Sequence, residues 1–344
     1  MKLLKNCRVI GILLLVGTVV LSAGCQNKTV AEKEGKAGGD GKYETLTLRY
    51  QGSPGQVTFP ELAEDLGYLD PIKLEWVGNT TSGPQDIQTA ATGEIHFGGA
   101  FNGAIIKLKA SGAPIKAVIS YYGSDEDTFS GFYTLEDSPI REARDLIGKK
   151  VGMNTLGAHH EFVLKEYLRQ NGLTEEEIKK VTIVVIPPVN AEQALRNKQI
   201  DVAVLGGMLR DRALERGGIR KLFSDYDLFG AFNAGSYVFT EKFIKENPNT
   251  VRKFVEATAK AIEWARSTPR EEVIARYEAI IEKRKRKEDG ETVKFWKSTG
   301  IGSKGGYIQE KDFQVWIDWL IKSGELKKGE IGLDDLYTNE FNPY

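Results

Sequence analysis

The stretch GNTTSGPQDIQ (residues 78–88) gathers an amide and three hydroxyls, from Asn79, Thr80, Thr81 and Ser82, and holds no basic side chain. The Gly-Pro pair after them suits a helix start, since proline's fixed φ and missing N–H cost nothing at the first helical position. A helix N-terminus presents unpaired N–H groups and roughly half a positive charge. Such a turn holds an anion without Lys or Arg. Asn154, Thr155, Leu156 and Gly157 repeat the arrangement ahead of a second helical segment, HHEFVLKEYLRQNG (159–172). A sulfonate or similar oxyanion fits between two such ends. The competing role for Thr81 and Ser82 is to cap their own helix. Gly98, Gly99 and Gly157 either let a ligand approach the backbone or serve as turn residues.

Other reactive chemistry is sparse. The chain has 3 His and 2 Cys, and His159-His160-Glu161 is not HExxH. A zinc site needs three or four converging ligands, and His96 is far from the pair, so no metal or cofactor is expected. His159 remains a candidate hydrogen-bond donor. Neither GxSxG nor a Walker loop occurs, so no enzyme is expected. A net charge of −1 argues against a nucleic-acid partner. Arg210 is the one cation near a predicted strand end, and Asp211 and Glu215 compete for it.

The elements that would position these groups alternate. Strands are predicted at 46–50, 72–77, 94–100 and 115–121, with helices at 59–69, 84–92 and about 102–110 between them. The order repeats with strands at 149–153, 181–187 and 200–207 and helices at 159–172 and 190–198. ATGEIHFGG and RNKQIDVAVLGG share one pattern: helix end, polar turn, Ile, short strand, Gly-Gly. Two similar α/β lobes are therefore expected, with FYTL (132–135) and SYVFT (236–240) as candidate crossing strands. Beyond Glu241 the chain is mostly helical. Trp316, Trp319 and Leu320 read as a packing face, and the charge run EKRKRKED (282–289) as a solvated helix end.

The N-terminus reads as a targeting segment. Lys2, Lys5 and Arg8 precede a 13-residue apolar run, Val9–Leu21, too short to span a bilayer. LSAGC (21–25) resembles a bacterial lipobox, with the Leu one place further from the cysteine than usual. It implies a lipoprotein signal peptide over 1–24 and lipidation at Cys25. Residues 25–43 are polar and glycine-rich, a flexible tether.

In order, the lipobox, a strand ending in Gln51-Gly52, the helix ending in Gly-Tyr-Leu, SGPQDIQTAATGEIHFG, ASGAPIKAV and DLIGKKVGMNTLGAHHEFVLKEYLRQNGL resemble one family. They are similar to the sulfonate/nitrate/taurine-type substrate-binding proteins of ABC importers, a group that includes binders of thiamine-pyrimidine precursors. The resemblance covers about Glu44 to Pro269. Members often have Asp at the position of His96, and a polar or aromatic residue where this chain has Gly206-Gly207-Met208. The resemblance implies an α/β, two-lobed periplasmic-binding-protein type II fold, each lobe a parallel-dominated sheet flanked by helices. Lobe I would take 44–133 plus 238–344, and lobe II 134–237. It implies a monomeric, lipid-anchored protein on the extracytoplasmic face, passing a small anionic solute to a permease and ATPase. An aliphatic sulfonate or taurine-like solute leads; a ring-bearing thiamine-pyrimidine precursor, or a sensing role beside a membrane receptor, is the alternative.

Ligands of open α/β sheets sit beyond the carboxyl ends of the strands. The candidate contacts are therefore Gln51, Gly52, Ser53, Thr80, Thr81, Ser82, Gly99, Phe101, Asn102 and Tyr121 from the first unit. From the second they are Asn154, Thr155, Gly157, His159, Asn190, Met208 and Arg210, with Asn233 before the returning strand. Phe101, Leu156 and Met208 would form an apolar wall, and the aromatics Tyr50, Tyr121, Tyr122 and Phe232 would either wall the cleft or pack in the core.

Overall fold

The computed structural model describes residues 42–344, so Cys25, the segment 1–24 and nearly all of 25–43 lie outside the described residues. The first alternating unit runs β1 (Thr47–Gly52), α1 (Phe59–Asp65), β2 (Lys73–Asn79), α2 (Gly83–Thr92), β3 (Phe97–Phe101), α3 (Asn102–Ala110) and β4 (Ile115–Ser124). The second runs β5 (Ser130–Leu135), β6 (Lys150–Met153), α4 (His159–Gln170), α5 (Glu175–Ile178), β7 (Thr182–Val185), α6 (Pro188–Arg196), β8 (Val202–Gly206), α7 (Gly207–Glu215), β9 (Ile219–Ser224) and α8 (Asp225–Phe229). β10 (Phe232–Thr240) then returns, followed by α9 (Glu241–Glu246), α10 (Pro248–Ser267), α11 (Arg270–Arg284), α12 (Lys311–Lys322) and α13 (Leu333–Leu336).

The sheets are mixed and flanked by helices. β1 pairs with β2 in parallel, and β6 pairs in parallel with both β7 and β8. β10 lies antiparallel between β3 and β4, which it holds parallel to each other, and β5 lies antiparallel between β8 and β9. Each of the two expected crossing strands is thus absorbed into one sheet, and the chain passes between the strand groups at 125–129 and 225–231. β1 and β3 belong to separate sheets, yet they touch. His96 accepts the Arg49 N–H on its Nδ1 (2.8 Å) and donates its own N–H to the Arg49 carbonyl (2.9 Å). Burial, helped by Arg49, lowers the His96 pKa to about 4 and so keeps the ring neutral, as an acceptor must be. His96, where the proteins this chain resembles often carry Asp, is therefore a splice between sheets.

The apolar periodicity of α10 buries Val251, Phe254, Val255 and Ile262 against β1, β3 and β10. Trp316, Trp319 and Leu320 of α12 pack with Ile87, Ile105 and Phe162 in a second core, as the helical spacing predicts. Two smaller clusters flank the five-stranded sheet.

The charge run 282–289 is solvated at Glu282, Lys283, Lys285, Lys287 and Asp289, as expected, while Arg284, Arg286 and Glu288 turn inward. Arg284 and Arg286 are buried against Glu61, with nitrogen–oxygen distances of 3.1 and 2.8 Å. Tyr50 donates to Glu61 Oε1 at 2.5 Å, and Glu288 accepts from Arg284 and from the Gly55 N–H. A sequence run shows the density of charge but not the opposite charges waiting on α1. The network pins loop 52–56, which carries Ser53 and Pro54 to the site described below. Glu61→Ala would leave two buried guanidiniums short of a partner and should cost about 3–5 kcal/mol. Urea unfolding of the two forms measures it; a loss under 1 kcal/mol would contradict the network's role.

Candidate functional site

A cavity of about 460 Å³ opens where loops from both strand groups converge. Among the helices of nine or more residues that begin at it are α2 after Ser82, α4 after Ala158 and α7 after Gly206. Ala158 and Gly206 carry no capping group, and the Ser82 side chain does not bond its own helix. Ser82 holds the capping position with its hydroxyl turned elsewhere, so capping does not account for it. Its Oγ donates to Thr155 Oγ1 across the cavity mouth at 3.2 Å. Asn154 Nδ2 donates to the Thr81 carbonyl at 2.9 Å. The two loops that lead into these helices thus touch.

A relay continues inward from Asn154. Its Oδ1 lies 3.0 Å from His160 Nδ1, and His160 Nε2 lies 3.2 Å from Ser130 Oγ at the start of β5. Asn154 Oδ1 can only accept, so Nδ1 carries the proton and Nε2 accepts from Ser130. Burial, with His159 next to it, lowers the His160 pKa to about 3, which keeps that single tautomer neutral. His159 is buried and stacks on Phe101 at 5.1 Å. Its Nε2 is 3.2 Å from Asp225 Oδ2, close enough for an ion pair but not aligned as a hydrogen bond. Asp225 Oδ1 accepts from Ser124 Oγ (3.0 Å) and from the Ser130 N–H (3.1 Å), joining the end of β4 to the start of β5.

Of the residues singled out by sequence, Gln51, Ser53, Thr80, Thr81, Ser82, Gly99, Phe101, Tyr121, Asn154, Thr155, His159 and Met208 line the cavity. Six others do not. Gly52 uses its carbonyl to accept the Thr80 N–H at 2.9 Å. Asn102 is buried, donating to the Asp312 carbonyl and accepting from Ser236. Asn233 likewise spans Gly302, Ser303 and Asp312, so both amides stitch the returning strand to the C-terminal segment. Gly157 adopts φ 67° and gives its N–H to Glu161. Asn190 is exposed in the first turn of α6. Arg210 is neither at the surface nor in the cavity. It is 2 % exposed, bonded to Asp211 and to the carbonyls of Asp127 and Phe129, and stacked 3.9 Å from the Phe129 ring. Gly99 serves packing, since a Cβ there would fall 2.7 Å from the Tyr121 ring.

Sequence reading missed Asp86, His160, Ser130 and the segment Trp296–Thr299, all in the cavity wall. Asp86 was visible as a first-turn acid of the second predicted helix. The segment 296–299 has no periodicity and comes from the far end of the chain. Its Lys297 is the one Lys or Arg among the lining residues; it is exposed and sits 3.4 Å from Asp211. Asp86 is 6 % exposed and accepts the Gly99 N–H on Oδ2 at 2.7 Å, while Oδ1 has no partner among the described residues. Burial, partly offset by that N–H, raises its pKa to about 7.

A carboxyl that ionises near 7 when folded and near 4 when unfolded binds its proton more tightly in the folded state. Its contribution to stability therefore falls as pH rises between those values, by at most about 1.4 kcal/mol per unit. Asp86→Asn should be relieved of this cost. Its stability relative to the parent chain should rise from pH 5 to pH 7 and level off above. Chemical denaturation at pH 5, 6, 7 and 8 measures the difference; a constant offset would mean that Asp86 is ionised throughout.

Residues 62–272 match the family model described as NMT1/THI5 like. A putative aliphatic sulfonates-binding protein of Bacillus subtilis is 24% identical over 263 residues, covering 74% of this chain and 73% of that one. A 4-amino-5-hydroxymethyl-2-methylpyrimidine phosphate synthase of Candida albicans is 24% identical over 321 residues, 87% of each chain. Among solved structures, the alkanesulfonate-binding protein SsuA from Xanthomonas axonopodis pv. citri, bound to MOPS, superposes with a TM-score of 0.66 at 18% identity. That match covers 85% of this chain and 98% of that one. This likeness shows the fold, the mixed α/β architecture of the periplasmic binding proteins.

Proposed function

The chain belongs to the NMT1/THI5-like family, and we propose that it is an extracytoplasmic solute-binding protein, lipid-anchored through Cys25, that hands a small solute to an ABC permease. The observation that carries this reading is the pair of helix starts, α2 and α4, opening on one cavity, with the polar N-cap side chain of α2, Ser82, uncommitted to its own helix. Backbone N–H groups there hold an oxyanion such as a sulfonate by charge-assisted hydrogen bonds. The strand groups are the two lobes of this reading, and they close on solute about the links 125–129 and 225–231. A binding protein rather than an enzyme is favoured by the cavity's groups: hydroxyls, amides and aromatic rings, with the two histidines committed to Asn154, Ser130, Phe101 and Asp225.

A second reading, a ring-bearing solute, is supported by the aromatic walls. Tyr121, Tyr122, Phe129 and Trp296 all line the cavity, and flat faces of this kind stack on a ring. Calorimetric titration with alkanesulfonates, taurine, nitrate and thiamine-pyrimidine precursors tests the function. Heat from at least one of them, with Kd in the micromolar range or tighter, is expected; silence from the sulfonates removes that class. Ser82→Ala and Thr155→Val should each weaken binding about threefold to tenfold, since the bridging hydrogen bond is worth about 1 kcal/mol. The double variant should lose little more than either single one. Fully additive losses would mean that the two hydroxyls do not meet when solute is bound.

A further inference from the structure

The cavity wall carries a charge that the anion reading leaves unused. Asp86 sits in the first turn of α2, within the cavity wall, and is nine-tenths buried. One carboxylate oxygen is fixed by the Gly99 N–H. The other has no partner among the described residues, and no cation is paired with this carboxylate there. Lys297, the one Lys or Arg of the wall, is exposed and committed to Asp211. A buried carboxylate with an unfilled acceptor costs free energy that a fold avoids unless something arrives to fill it. An oxyanion cannot fill the acceptor of the ionised carboxylate, because two like charges within a few ångströms repel strongly in a low-dielectric site. An ammonium or a ring amine can, since it brings the N–H that Oδ1 lacks.

We propose that Asp86 selects the solute: its unfilled oxygen accepts an N–H donor, so the chain binds an amine-bearing sulfonate or an amino-substituted heterocycle in preference to a solute of equal shape without that donor. This rests on the cleft reading above and narrows it. The helix starts take the electronegative end and Asp86 takes the nitrogen. A merely structural Asp86 would need only the bond to Gly99, which an asparagine oxygen supplies equally well.

Two matched pairs test the selection by calorimetry on the purified chain. Taurine is compared with 1-propanesulfonate, which replaces the ammonium by a methyl group. 4-Amino-5-hydroxymethyl-2-methylpyrimidine is compared with its 4-methyl analogue. In at least one pair the donor-bearing member should bind about tenfold tighter or better, the scale of one charge-assisted hydrogen bond. Asp86→Asn should shrink that preference to within about twofold. The comparison within each pair uses the unaltered chain, so it stands even if the variant folds poorly. Binding with no preference, or a preference that survives Asp86→Asn, overturns the assignment to Asp86 and leaves the cleft reading standing. No binding by any of the four overturns the solute class, while the cleft reading answers to the wider titration above.

Discussion

The first N–H groups of a helix have no partner within it, and this chain gathers several such sets of donors around one cavity. Everything at the site follows from how α2 and α4 are aimed. Ser82 and Thr155 can join hydroxyls only because β2 and β6 deliver their helices toward a common point. The direction is set by ordinary means. Gly83 and Pro84 start α2 against β3, where Gly98 and Gly99 let that helix and the Tyr121 ring approach. In the second unit, Gly157 takes a left-handed backbone so that the chain turns sharply into α4.

The polar groups behind the cavity are arranged as a connector rather than as reactants. Asp225 accepts from the last residue of β4 and the first of β5, and lies beside His159 at the start of α4. His160 ties the same β5 residue to the loop that meets Ser82. The end of one strand group, the start of the next and the mouth of the cavity therefore share one contiguous set of hydrogen bonds. Movement about the link at 125–129 cannot leave the mouth unaffected.

Much of this fold is legible in the sequence, because alternating short apolar runs and amphipathic helices leave few other arrangements. The strand end at Gly206 and the helix starts at Ser82 and Ala158 are local signals and fall where they were read, whereas Gly98-Gly99 lie inside β3 and do not end it. β9 and α7 escaped: Gly207–Glu215 has little apolar periodicity, and IRKLFS alternates weakly among charges. The misplaced site residues share one cause. Asn102, Asn233 and Arg210 stand beside strand ends, as ligand contacts should, but their partners are Asp312, Ser303 and Asp127, distant in sequence or unremarkable within it. Buried hydrogen bonding is a property of pairs, and one member does not announce the other. Asp86 shows the reverse case, a residue read as part of a helix whose burial, visible only in three dimensions, leaves it short of a partner.

The wall at Trp296–Thr299 has a back as well as a front. The same four residues border a second cavity of about 330 Å³, beside Arg266 and Arg270. Ser298 is fastened to Asp125 and Thr128 in the link between β4 and β5. The chamber is thus finished by a stretch of chain that follows all ten described strands in sequence. A polypeptide ending before this stretch would possess both helix starts and yet present an open gutter.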